Sequence, residues 1–139
     1  MKEKVLLVDD DAMVLAGLKR QLRNQFSVDT ALSGEDALNQ VLENGPYAVI
    51  VSDFSMPGMN GIEVSRRIKN HPGLAKTPAI IMVTAYGREE IMQQAEEVGL
   101  EGFLLKPVNP SMLFDTIIQA FGEAVPEISR IAQRREQET

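Results

Sequence analysis

Residues 5–11 read Val5-Leu6-Leu7-Val8-Asp9-Asp10-Asp11, an unbroken apolar run that stops on three carboxylates. Three more runs share its character: Ala48-Val49-Ile50-Val51, Ala79-Ile80-Ile81-Met82-Val83 and Phe103-Leu104-Leu105. None alternates with polar residues. Each therefore predicts a strand buried on both faces, as in a parallel sheet covered by helices. A weaker run, Val28-Asp29-Thr30-Ala31-Leu32, alternates partly and suits an edge strand.

Helix-period segments separate these runs. Val14, Leu18 and Leu22 fall four apart and share one helix face. Ala37, Leu38, Val41 and Leu42 form a second stripe, and Ile62, Ser65 and Ile68 a third, less apolar one. Ile91, Ala95 and Val98 mark a fourth, and Leu113, Ile117, Ala120 and Phe121 a fifth. Ser33 with Asp36 resembles a capping box, with Asp in place of the longer Glu. Asn109-Pro110 reads as an N-cap followed by proline at the first helical position. Gly45-Pro46, Pro57-Gly58, His71-Pro72-Gly73 and Gly99 supply breaks. Strand–helix alternation repeated five times predicts an α/β fold, an open parallel sheet with helices on both sides.

The bulk composition narrows the function. With 139 residues the chain has the length of one domain and can bury a core without staples. It has no cysteine, and His71 alone cannot build a zinc site. The net charge of −6 and the lack of a helix-turn-helix argue against direct nucleic acid binding. No apolar stretch approaches the roughly 20 residues that span a bilayer, and Val5–Val8 is too short for a signal-peptide core. A cytoplasmic protein with no membrane partner is the expectation.

In open α/β sheets, ligands sit at the carboxyl ends of the strands. Those ends carry Asp9-Asp10-Asp11, Ser52-Asp53, Thr84 and Lys106-Pro107. If they share one rim, Asp9, Asp10, Asp53, Thr84 and Lys106 converge. Clustered carboxylates raise one another's pKa unless a cation neutralises them. Lys106 supplies one positive charge, and a divalent ion is suited to supply the rest. The ligands are all oxygens, which favours Mg²⁺ over Zn²⁺. A carboxylate beside such a metal and a lysine can itself be a nucleophile towards a phosphoryl group, with the Thr84 hydroxyl as a donor to one of its oxygens.

Other phosphate sites fit less well. A flavin mononucleotide loop needs amide and hydroxyl donors, whereas the first loop here is triply acidic. Neither G-x-G-x-x-G after the first strand nor G-x-x-x-x-G-K-[ST] occurs. Asp9-x-Asp11 matches the D-x-D of aspartate-nucleophile phosphatases only formally, because Asp11 more naturally opens the first helix.

Val8-Asp9-Asp10-Asp11, Ser52-Asp53-Phe54-Ser55-Met56-Pro57-Gly58-Met59-Asn60-Gly61, Val83-Thr84-Ala85 and Leu105-Lys106-Pro107 together resemble the motifs of response-regulator receiver domains, over about residues 3–122. The resemblance implies a flavodoxin-like, doubly wound five-stranded parallel sheet, (βα)5, in strand order 2-1-3-4-5. It implies a receiver domain at residues 1–122, followed by a polar tail or linker at 123–139 that is too short for an output domain. Asp53 is then the phosphoacceptor. Asp10 is the direct Mg²⁺ ligand, Asp9 acts largely through water, and Asp53 and the Ser55 carbonyl complete the set. Thr84 is the switch hydroxyl, Lys106 the phosphate-binding lysine and Phe103 the switch aromatic. The Lys106–Pro107 peptide is expected to be cis, and Gly61 to relieve crowding at the third helix.

Ser55 and Tyr86 occupy the positions that flank the attacking water in this family, and Met56 lies in the loop beside the site. The implied donor is a histidine kinase or histidine phosphotransfer protein. The switched surface is the fourth helix, fifth strand and fifth helix, through which a homodimer is also expected. Such a domain works on itself and is no enzyme towards a separate substrate. A phosphorylation-independent adaptor is the competing reading.

Several of these residues also have plainer roles. Phe103 serves equally as core packing, and Tyr86 as a surface aromatic. The seven methionines read as core filler. His71 reads as an exposed helix-end residue, because Pro72 and Gly73 break the helix that a phosphodonor histidine needs.

Overall fold

In β1 (Lys4–Val8), Val5 and Leu7 face one side of the sheet and Leu6 and Val8 the other, and all four are buried. This double burial is what the unbroken apolar run requires. The computed structural model describes residues 3–74, 76–85 and 88–124, without the side chains of 88–90 and 122–124. After β1 come α1 (Ala12–Leu22), β2 (Ser27–Ala31), α2 (Gly34–Asn44), β3 (Val49–Asp53), α3 (Gly61–Lys69), β4 (Ala79–Thr84), α4 (Arg88–Val98), β5 (Gly102–Leu105) and α5 (Pro110–Ala124). All strand pairs are parallel, in the order β2-β1-β3-β4-β5. The partly alternating run is indeed the edge strand β2.

The two faces of the sheet build separate cores. Val5, Leu7, Val49, Val51, Ile81 and Val83 pack with α1 and α5 through Leu15, Leu22, Leu113, Ile117, Ala120 and Phe121. Phe26 joins this side, with its ring 5.7 Å from Phe114 and 5.4 Å from Phe121. On the other face, Leu6, Val8, Ile50 and Ile80 meet α2 and α3 through Ala37, Val41, Val64 and Ile68. Ile62, Met82 and Ile91 continue that face towards α4.

Three sequence expectations need correction. In α1 the buried stripe is Leu15 and Leu22 with Leu18 beside them, while Val14 is 41% exposed. A spacing of 3, 4 and 7 fits the 3.6-residue period as well as 4 and 8, so periodicity alone did not separate the two stripes. In α2, Leu42 faces solvent at 52% exposure. In β5 only Leu104 is buried and Leu105 is half exposed, because β5 is the other edge strand.

The caps hold where they were expected. Ser33 Oγ accepts from Asp36 N at 3.1 Å, but the Asp36 carboxylate accepts from Leu32 N at 3.3 Å, one residue earlier than a capping box places it. Asn109 Oδ1 accepts from Ser111 N at 2.8 Å. Gly99 ends α4 with φ +82°, a conformation that favours glycine. His71 is exposed, and its Nδ1 accepts from Gly73 N at 2.9 Å. Of the expected tail at 123–139, residues 123 and 124 continue α5, and those from 125 onward lie outside the described residues. Among the described residues, no helix is long and apolar enough to cross a membrane.

Candidate functional site

Strand register decides which side chains meet. Val8 pairs with Ser52, Asp53 with Val83, and Thr84 with Leu105. The next residues out are therefore Asp9 beside Asp53, then Thr84, then Lys106, all on one rim. The chain leaves β1 for β2 on one side and β3 lies on the other, so Asp9 and Asp53 flank the topological switch point.

Carboxylate oxygens of Asp9, Asp10 and Asp53 lie within 4.8 Å of one another. Asp53 is 5% exposed and Asp9 7%, whereas Asp10 is exposed. Lys106 Nζ stands 3.1 Å from Asp53 Oδ1. Asp11 stays out of this group. Its carboxylate caps α1, accepting from Met13 N at 3.0 Å and Val14 N at 3.3 Å, while its own N–H donates to Asp9 Oδ1 at 2.9 Å. The third acid of the run thus fixes the helix and aims the first. The sequence pointed to the cap, but not to this backbone bond.

The loop after β3 is closed by Phe54 N donating to Val83 O at 2.8 Å and Gly61 N donating to Phe54 O at 2.9 Å. Gly58 turns it with φ +78°. Ser55 is exposed in this loop, and Met56 is buried with Ala37, Val41 and Val64. A Cβ at Gly61 would sit 2.6 Å from both the Asp53 carbonyl oxygen and Met82 Sδ, so glycine is what lets α3 approach the end of β3. Thr84 is buried, and its carbonyl accepts from Lys106 N at 2.9 Å. Phe103 is half-buried against the Ile62, Met82 and Ile91 cluster. The Lys106–Pro107 peptide is cis. Tyr86 lies outside the described residues.

Charge and burial compete here. Burial pushes the Asp9 carboxyl above its ordinary 3.8; the Asp11 N–H opposes this, the Asp53 charge adds to it, Lys106 opposes it, and a hydrogen bond with Asp10 adds to it. For Lys106 burial acts downward, but the hydrogen bond to Asp53 and the charges of Asp53, Asp9 and Asp10 outweigh it and hold the ammonium above 10.5. Both shifts are upward. Each group therefore contributes stability that is fully present below its unfolded pKa and is lost as pH rises through the folded one. For Asp9 that loss occurs on the way from 3.8 to its raised value, and a cation held beside the ionised carboxylate would offset it. Mg²⁺ is accordingly expected to raise the melting temperature at pH 7, and the gain to shrink as acid protonates the ligands. Thermal melts with and without Mg²⁺ across pH 4–8 check this, and an equal gain throughout would contradict it.

Beside the carboxylates lies a cleft of about 610 Å³, bounded by α1 and the β5–α5 turn. Met13, Val14 and Gly17 line one wall and Pro107 and Val108 the other, with Asp53 and Lys106 at its acidic end. An exposed opening lined by apolar groups thus leads to a buried carboxylate.

The sequence pattern of the response regulator receiver domain matches residues 5–118. The chain belongs to this family. It is 38% identical over 108 residues to the transcriptional regulatory protein ResD of Bacillus subtilis (strain 168), covering 77% of this chain and 43% of that protein. It is 34% identical over 111 residues to SrrA of Staphylococcus aureus (strain NCTC 8325 / PS 47), covering 79% and 44%. It thus spans less than half the length of these relatives. The solved structure of the chemotaxis response regulator CheY4 of Vibrio cholerae superposes with a TM-score of 0.78 at 31% identity, covering 86% of this chain and 99% of that one. The five-stranded order 2-1-3-4-5 is shared with such CheY-like structures.

Proposed function

We propose that this chain is a phosphoacceptor switch, in which Asp53 takes a phosphoryl group from a phosphohistidine of a histidine kinase or phosphotransfer protein. The observation that carries this reading is the buried Asp53 carboxylate, held in one acidic cluster with Asp9 and Asp10 and paired with Lys106 at 3.1 Å. Membership of the receiver family supports it. An Asp53 oxygen attacks phosphorus, the phosphorus–nitrogen bond of the donor breaks, and its electron pair stays on the imidazole. An acyl phosphate results.

The donor set fits Mg²⁺: oxygens only, three of them carboxylate-derived and mutually close. Asp9, Asp10, Asp53 and the Ser55 carbonyl would hold it. Bound there, Mg²⁺ would supply positive charge against the clustered carboxylates and an incoming phosphoryl group. Lys106 shields Asp53 from the incoming anion, and the Thr84 hydroxyl donates to a transferred oxygen. The added charge draws Thr84 inward, and Phe103 turns into the space it leaves. The α4–β5–α5 face then changes, a population shift of states already sampled. The chain's chemistry is confined to itself, in the cytoplasm, and the residues beyond α5 serve as tail or linker.

Amide hydrogen exchange with Mg²⁺, with and without acetyl phosphate, tests the switch. Altered exchange across Gly102–Leu105 and the adjoining helices is the expected result. Unchanged exchange in a chain that carries the phosphoryl group would favour a phosphorylation-independent adaptor.

A further inference from the structure

Gly34, the first residue of α2, is buried, yet its backbone gives no reason for glycine: positive φ is confined to Gly58 and Gly99 among the described glycines. Glycine weakens a helix, so another constraint keeps it there. That constraint is proximity. A Cβ at position 34 would lie 2.6 Å from Val64 Cγ2, 3.0 Å from Met59 Cβ and 3.3 Å from the Met59 carbonyl oxygen. The first turn of α2 therefore rests directly on the 54–60 loop, which runs from Asp53 through Ser55 to α3. The loop's ends are pinned by the Phe54–Val83 and Gly61–Phe54 backbone bonds. Met56 and Met59 pack into the same core as α2 and α3. Its flank at Met59 meets α2 at Gly34.

We infer that Gly34 is a positioning residue for the divalent-cation site: its missing side chain seats α2 against Met59 and so sets where the loop presents the Ser55 carbonyl to the acidic cluster. This rests on the reading of Asp9, Asp10, Asp53 and Ser55 as the metal ligands. Gly34 touches none of them. A methyl group there must turn the Val64 side chain aside and press Met59 by a few tenths of an ångström, which matters at a metal site whose ligands are held to within about 0.5 Å. The Val64 contact supports a purely structural alternative, in which Gly34 merely lets α2 pack on α3.

The two roles separate by measurement. Mg²⁺ binding by calorimetry and thermal unfolding are recorded for the native chain, Gly34→Ala, Val64→Ala and the double variant. The inference expects Gly34→Ala to weaken Mg²⁺ binding about tenfold, the size seen for groups that orient metal ligands. Val64→Ala lowers the melting temperature through its cavity but keeps native Mg²⁺ affinity. In the double variant the 2.6 Å contact with Val64 is gone but the Met59 contact remains, so the inference expects the binding defect to persist, with thermal unfolding as the folding control. Native affinity in Gly34→Ala or in the double variant would overturn the inference and leave the metal site standing. Absence of Mg²⁺ binding by the native chain would overturn both.

Discussion

Replacing Lys106 by alanine is expected to slow phosphoryl uptake from acetyl phosphate by about 100-fold or more, while leaving the chain folded. The magnitude is that of removing one preorganised donor aimed at developing charge. Lys106 Nζ lies 3.1 Å from Asp53 Oδ1, and its ammonium is held above 10.5, so it is charged at every working pH. Without it, an anionic phosphoryl group meets three clustered carboxylates with one fewer counter-charge. The fold is spared because Lys106 lies past the end of β5 and its side chain is 37% exposed. Rates from intact mass against time, with circular dichroism as a folding control, check the prediction. A rate within about threefold of native would place the stabilising charge elsewhere.

Ile117→Ala is expected to cost about 2–5 kcal/mol of stability, the range for emptying a fully buried aliphatic site. Ile117 is 0% exposed on α5, and packs in the cluster of Val5, Leu7, Val49, Val51, Ile81 and Leu113. Those strand residues leave the alanine no way to close the void, because their opposite neighbours are committed to the α2–α3 face. Urea unfolding measures the loss. The same change at Leu42, half exposed on α2, supplies the contrast, with an effect of about 0.5 kcal/mol or less. Equal losses at both positions would contradict the assignment of the core.

Most of this fold could be read from the sequence because its strands are buried on both faces and so appear as unbroken apolar runs. The repeated strand–helix pattern predicted the parallel sheet and the rim of candidate residues, and the strand order followed from the family resemblance. What escaped had local causes. Val14 and Leu15 are adjacent apolar residues on α1, and only the orientation of the helix decides which one is buried. Leu105 looks like its neighbours, but its environment depends on β5 lacking a further strand. The Asp11 N–H to Asp9 bond and the contact of Gly34 with Met59 are backbone placements with no side-chain signature. Gly34 did carry a hint, a glycine just inside a well-capped helix where a stronger helix former would serve.

The central claim concerns one carboxylate, so one comparison tests it most directly. Native chain and Asp53→Asn, both folded, are incubated with acetyl phosphate, with Mg²⁺ and again with the metal chelated, and their intact masses are recorded. The account predicts a gain of one phosphoryl group by the native chain, only with Mg²⁺, and none by the variant. An equal gain by Asp53→Asn, or no gain by the folded native chain with Mg²⁺ present, would contradict it.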